Sequence, residues 1–154
     1  MKFVKESYDE HNAWAIQKVS DYLVYRGYEI MPKQEEDYSL DILASKDNEF
    51  IYVEAEVKED YPWRDMDSFR FPTVSFLARK KKWKNIGFWY VIVCKETEAM
   101  LVGHSDVIFN DEYLEVLNIR KGQRNGGDVF YRVPKELLIF ITKEEDGYGV
   151  SYRP

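Results

Sequence analysis

Apolar and polar positions alternate most clearly between residues 50 and 58, where Ile51, Val53, Ala55 and Val57 interleave with Tyr52, Glu54, Glu56 and Lys58. That period of two predicts a strand with a small apolar face and a second face carrying Glu54, Glu56 and Lys58. Upstream, Leu40-Asp-Ile-Leu43 is apolar apart from Asp41, and Ser45-Lys46-Asp47-Asn48 supplies turn-forming residue types. Residues 41–58 therefore read as two strands joined by a polar turn. Ahead of them, Ala15, Ile16, Val19, Tyr22 and Leu23 recur at helical spacing and predict a helix over 7–26. Ser7-x-x-Glu10 reads as its capping box and Gly27 as its stop. Tyr28–Met31 follows as a short strand ended by Pro32, then a polar loop over Lys33–Asp37.

Beyond Lys58 the pattern loosens. Residues 58–73 have no period; Pro62 and Pro72 bracket a connector rich in aromatics, with Trp63, Phe69 and Phe71. Those aromatics either fold the loop onto the core or face a substrate, in which case Arg64 and Arg70 are placed to meet phosphate. Residues 74–85 read as a second, basic helix containing Arg79, Lys80 and Lys81, with Trp83 as an anchor to the sheet. A solvated basic helix face is a commoner explanation for such a run than a basic residue presented towards a nucleic-acid site. Gly87–Cys94 is a continuous apolar run, as expected of a central strand covered on both faces. Lys95–Glu98 turns the chain back into Ala99–Gly103, and His104–Phe109 reads as a short capped helix. A hairpin over 114–120 and 129–133 encloses the Gly-rich loop 121–128, which lacks the ending of a phosphate-binding P-loop. Residues 134–140 predict a last short helix, followed by a polar tail from Thr142.

Composition narrows the classes. A chain of 154 residues with 45% hydrophobic and 16% aromatic content reads as a single packed domain. No apolar run approaches the roughly 18 residues of a membrane span, and Met1–Glu6 lacks a signal peptide's apolar core. A lone cysteine, Cys94, excludes an internal disulfide and fits an intracellular, reducing location. Neither His11 nor His104 has a partner at zinc-ligand spacing, which leaves them as surface or capping residues. The net charge of −6 argues against indiscriminate nucleic-acid binding, although clustered carboxylates and a bound metal change the local field.

Asp41 on one strand, with Glu56 and Lys58 on the polar face of the next, brings two carboxylates and an ammonium together. Such a set is either a surface cluster of weak ion pairs or a divalent-metal site with a cation beside it. Asp41, followed after fourteen residues by Glu56-Val57-Lys58, resembles the D-x(n)-(D/E)-x-K signature of the PD-(D/E)xK, or restriction-endonuclease-like, nuclease superfamily. The order of elements is similar too, over about residues 8–110, with 111–154 as a C-terminal extension. Leu40 stands where the family often has Pro.

The resemblance implies an α/β (α+β) fold with an αβββαβ core, a central mixed sheet flanked by helices. It implies a Mg²⁺-dependent nuclease, Mn²⁺ substituting, with DNA a better-supported partner than RNA. Asp41, Glu56 and the Val57 carbonyl would hold the metal, and Lys58 would orient the attacking water or stabilise charge on phosphorus. Glu10, with Asp9 beside it, is the candidate helix acid, although Glu10 lies opposite the apolar stripe and the capping box already accounts for it. Glu54 is either a second-metal ligand or a bystander. Arg79, Lys80 and Lys81 of the basic helix, with Arg64 and Arg70, are the candidate nucleic-acid contacts. Two further classes stay open: a nuclease-like fold that binds nucleic acid or protein without cutting, and an acidic protein that binds another protein. Whether two protomers pair is open as well.

Overall fold

A computed structural model describes residues 5–32, 40–58, 61–116 and 129–154, with residues 5–11 and Val116 described by backbone alone. Helix α1 (Lys5–Tyr25) buries Ala15, Val19 and Leu23 along one stripe. It already includes Lys5, so Ser7 lies within the helix and is not its N-cap. Its C-terminus closes as expected at Gly27: the Gly27 N–H donates to the Val24 carbonyl and the Tyr28 N–H to that of Leu23. That paired closure requires a left-handed residue, and Gly27 has φ +95°.

Strands β1 (Glu29–Ile30), β2 (Ile42–Lys46) and β3 (Glu49–Lys58) form an antiparallel meander, with Ile42 opposite Val53 and Lys46 opposite Glu49. The two-residue turn Asp47-Asn48 has φ of 51° and 66°, the left-handed pair that matches hairpin twist and that Asp and Asn tolerate. Strand β4 (Thr73–Leu77) and a 3-10 helix (Ala78–Trp83) then lead to β5 (Phe88–Cys94), which runs parallel to β3. Strand β6 (Met100–His104) and helix α2 (Ser105–Ile108) follow, then β7 (Leu114–Val116), β8 (Val129–Pro134), β9 (Ile139–Glu144) and β10 (Gly147–Tyr152). As expected, His104 caps α2, its Nδ1 accepting from the Asp106 N–H.

The fold is mixed α+β. One sheet has seven strands in the order β1-β2-β3-β5-β6-β9-β10; a second has three, β4-β8-β7. Helix α1 covers one face of the large sheet through Val53, Ala55, Val91 and Val93. The opposite face carries Phe88, Tyr90 and Ile92 and packs on Val74, Phe76, Tyr131 and Val133 of the small sheet. Among the described residues the only α-helix on that face is the single-turn α2, through Ile108, so the small sheet rather than a second long helix covers it.

Three expectations are corrected here. Residues 74–85 are not an α-helix: Val74 and Phe76 are buried while Thr73, Ser75 and Leu77 are half-buried, a strand's alternation, and β4 pairs with β8. Only a 3-10 helix follows it, so the second α-helix of the αβββαβ order is replaced. The last helix is one 3-10 turn, Lys135–Leu137. The polar tail is hairpin β9–β10, which extends the large sheet beyond β6. The Gly-rich loop 121–128 and the loop 33–37 lie outside the described residues.

Candidate functional site

The site begins where β2 parts from β3. Ladder pairing ends at Ile42–Val53, which would leave backbone donors of both chains without partners. Side chains take over: Asp41 Oδ2 accepts from the Ala55 N–H at 2.9 Å, and Glu54 Oε1 accepts from the Asp41 N–H at 3.1 Å. The strand edge beyond Val53 thereby faces a cleft of about 300 Å³, lined by Asn12, Asp41, Glu54, Glu56, Lys80 and Tyr90, with Val57 and Arg79 among its further walls. Because Ala55 turns its N–H to this edge, the alternation of the strand turns the Val57 peptide groups the same way.

Each acid is held differently. Glu54 is buried and pairs with Lys80 at 2.6 Å. Burial foremost, and then the negative charge of Asp41, push its pKa up to about 7, against the opposing pull of Lys80. Glu56 is half-buried, and its Oε2 accepts from the Tyr90 hydroxyl at 2.5 Å. Burial and the Glu56 charge raise the Tyr90 pKa well above the ordinary phenol, so Tyr90 stays a donor. Among the described residues no hydrogen bond engages Asp41 Oδ1 or Glu56 Oε1. Two carboxylate oxygens therefore remain open, beside the Lys80 ammonium and the exposed Arg79.

The cleft thus gathers Asp41, Glu56, Val57, Arg79 and Lys80 of the residues expected from the sequence. Lys58 ends β3 on the Glu56 face but does not line the cleft. Lys81 points elsewhere, to Asp111 at 3.2 Å. Arg70 stacks on Tyr61, 5.4 Å from the ring centroid, and Arg64 lines a separate polar pocket with Glu96 and Thr142. Trp63 and Phe69 are core residues, while Phe71 is exposed. The side chains of Asp9, Glu10 and His11 lie outside the described residues. Among the described residues no group of three or more His, Cys, Asp or Glu is arranged to hold a metal ion.

Tyr90 and Asn12 were not singled out in the sequence. A tyrosine inside an apolar run on a strand buried on both faces needs a partner for its hydroxyl, and that signal pointed to Tyr90. Nothing comparable marked Asn12, which reaches the cleft only because α1 crosses the sheet there.

The chain matches no protein-family model, no curated protein and no solved structure. Fold and site define a mixed α+β protein with an acid-and-cation cleft at the edge of a central strand. Among its described residues, no helix is long and apolar enough to cross a membrane.

Proposed function

We propose that the protein is a metal-dependent nuclease of the PD-(D/E)xK type, hydrolysing phosphodiester bonds, with DNA as its substrate class. One observation carries this reading: the open oxygens of Asp41 and Glu56 share a single cleft with Lys80 and Arg79. The donor set fits Mg²⁺ or Mn²⁺, hard cations that take a few carboxylate and carbonyl oxygens and fill the rest with water and phosphate. Asp41, Glu56 and the Val57 carbonyl are the residues to hold such an ion. It would supply charge to polarise the phosphate and a bound water of lowered pKa.

The chain's own groups have definable tasks. Tyr90 fixes the Glu56 carboxylate by its hydrogen bond, and the Ala55 N–H fixes that of Asp41. Lys80 and Arg79 stand as the cleft's phosphate-binding cations, charge-assisted donors suited to phosphate oxygens. Lys80, rather than Lys58, is the ammonium that the cleft presents. Helix α1, the β2–β3 hairpin and the parallel β3–β5 pair accord with a restriction-endonuclease-like core, β4 and its 3-10 helix standing in for the second helix.

The Lys80–Glu54 ion pair and the position of Lys58 outside the lining favour a second reading, a nuclease-like fold that binds without cutting. Incubation with supercoiled plasmid and with single-stranded DNA, with and without Mn²⁺, separates the two. Nicking that needs Mn²⁺ is the expected result. Salt-sensitive binding without nicking moves the assignment to the second reading. Neither binding nor nicking contradicts both.

A further inference from the structure

A second cavity lies on the other face of the large sheet, under the C-terminal half of α1, and is independent of the nuclease reading. Its volume is about 200 Å³, and Val19, Val53, Trp89, Val91, Val102 and Ile141 form its apolar wall. Val53 and Val91 alternate along their strands with Glu54 and Tyr90, so sheet and core separate this cavity from the acid-and-cation cleft. Helix α1 is the one long helix described; it packs chiefly on β3, touching β1, β2, β5 and β10 as well, and leaves Ile139 of β9 half-buried and Val150 of β10 exposed at the cavity's far side.

The rim is cationic, although the chain as a whole carries −6. Arg26 and Arg153 line the cavity and are exposed. Both guanidiniums lie near the Tyr22 hydroxyl, where their charges partly offset the effect of burial on its pKa. Among the described residues neither arginine forms an ion pair with a carboxylate. Lys46 adds a third cation: its Nζ donates to the Arg26 carbonyl at 2.8 Å and sits 5.5 Å from the centroid of the Tyr28 ring, which also lines the cavity. An apolar chamber with two guanidiniums at its mouth that, among the described residues, have no carboxylate partner is complementary to a molecule with an apolar tail and an anionic head. The volume is below the roughly 300–1,000 Å³ of sites for drug-sized ligands, which restricts the tail to a short chain.

We propose that this cavity binds a medium-chain carboxylate, its alkyl chain against Val53, Val91 and Val102 and its carboxylate between Arg26 and Arg153. The probe is octanoate, titrated calorimetrically into the full chain, with octan-1-ol as the uncharged control. The expected result is saturable one-to-one binding of octanoate that raises the melting temperature. Replacing both rim arginines (Arg26→Gln with Arg153→Gln) should weaken it at least about tenfold, the scale of a lost charge-assisted contact. These positions are exposed, so the variant should fold. Val102→Phe should fill the chamber and abolish binding, with the folded state checked by circular dichroism. Asp41→Asn should leave octanoate affinity unchanged, since it alters only the other face. Absence of saturable binding overturns the proposal. So does equal affinity for octan-1-ol, or undiminished affinity in the double-arginine variant, either of which would reduce the cavity to an apolar sink.

Discussion

Glu54 is a carboxylate held where its charge is least comfortable, buried, beside Asp41 and answered by Lys80. Its pKa of about 7 in the folded chain exceeds the ordinary value of 4.5. A raised folded pKa favours the protonated form, so the stability Glu54 contributes is present in full below about pH 4.5 and is lost as pH rises through 7. The melting temperature should therefore fall between pH 5 and pH 8, and Glu54→Gln should flatten that part of the fall. Differential scanning calorimetry of both proteins across this window reads the difference directly. Parallel pH profiles would show that Glu54 does not keep a raised pKa. The same residue shows what one strand's sequence leaves open. Its place on the polar face of β3 follows from alternation alone, whereas its burial follows from β4 and the 3-10 helix closing over it from a separate part of the chain.

At the scale of elements, local signals sufficed wherever the element's own residues carried the determinant. Gly27 ends α1, Asp47-Asn48 turns the hairpin, and the apolar run 88–94 becomes the doubly covered β5. Strand β4 escaped because five residues hold too few periods to separate two from 3.6, and Phe76, Leu77 and Lys80 also suit a helix. What decides it is pairing with β8, more than fifty residues further on. Hairpin β9–β10 escaped for a different reason. Lys143, Glu144, Glu145 and Asp146 make its tip polar, as is common on exposed sheet edges, and this masked the alternation. Close packing between elements makes its own prediction at Gly103 of β6. A Cβ there would come within 2.6 Å of Leu138 and 2.9 Å of Ile108, both fully buried. Gly103→Ala should thus destabilise the protein by about 1–3 kcal/mol, the usual penalty of overpacking. Urea unfolding would show it as a lower midpoint at unchanged slope; an unchanged midpoint would mean that α2 and the segment at Leu138 yield without loss.

For the whole molecule, the arrangement separates two chemistries by one sheet. The cleft lies at the open edge of β3 where β2 leaves it, reached by Asn12 from α1 and by Tyr90 and Lys80 from the other side; the cation-rimmed chamber lies under the C-terminal half of α1. The cleft's carboxylates were legible because Asp41 interrupts an apolar run and Glu56 shares a face with Lys58. Its cations Arg79 and Lys80 were legible as a basic cluster, although on an expected helix rather than the 3-10 turn that carries them. Its phenol was missed, since Tyr90 meets Glu56 only through the parallel pairing of β3 and β5. The nuclease reading stands on Glu56 more than on any other side chain, because Tyr90 anchors its Oε2 while, among the described residues, no hydrogen bond engages its Oε1 in the cleft. The initial rate of Mn²⁺-dependent nicking of supercoiled plasmid by Glu56→Gln, set against that of the unaltered protein, is the decisive measurement. Gln keeps the shape and an acceptor for Tyr90 but removes the charge. The rate should drop by about 10²-fold or more with the melting temperature nearly unchanged; equal rates for the two folded proteins would contradict the account.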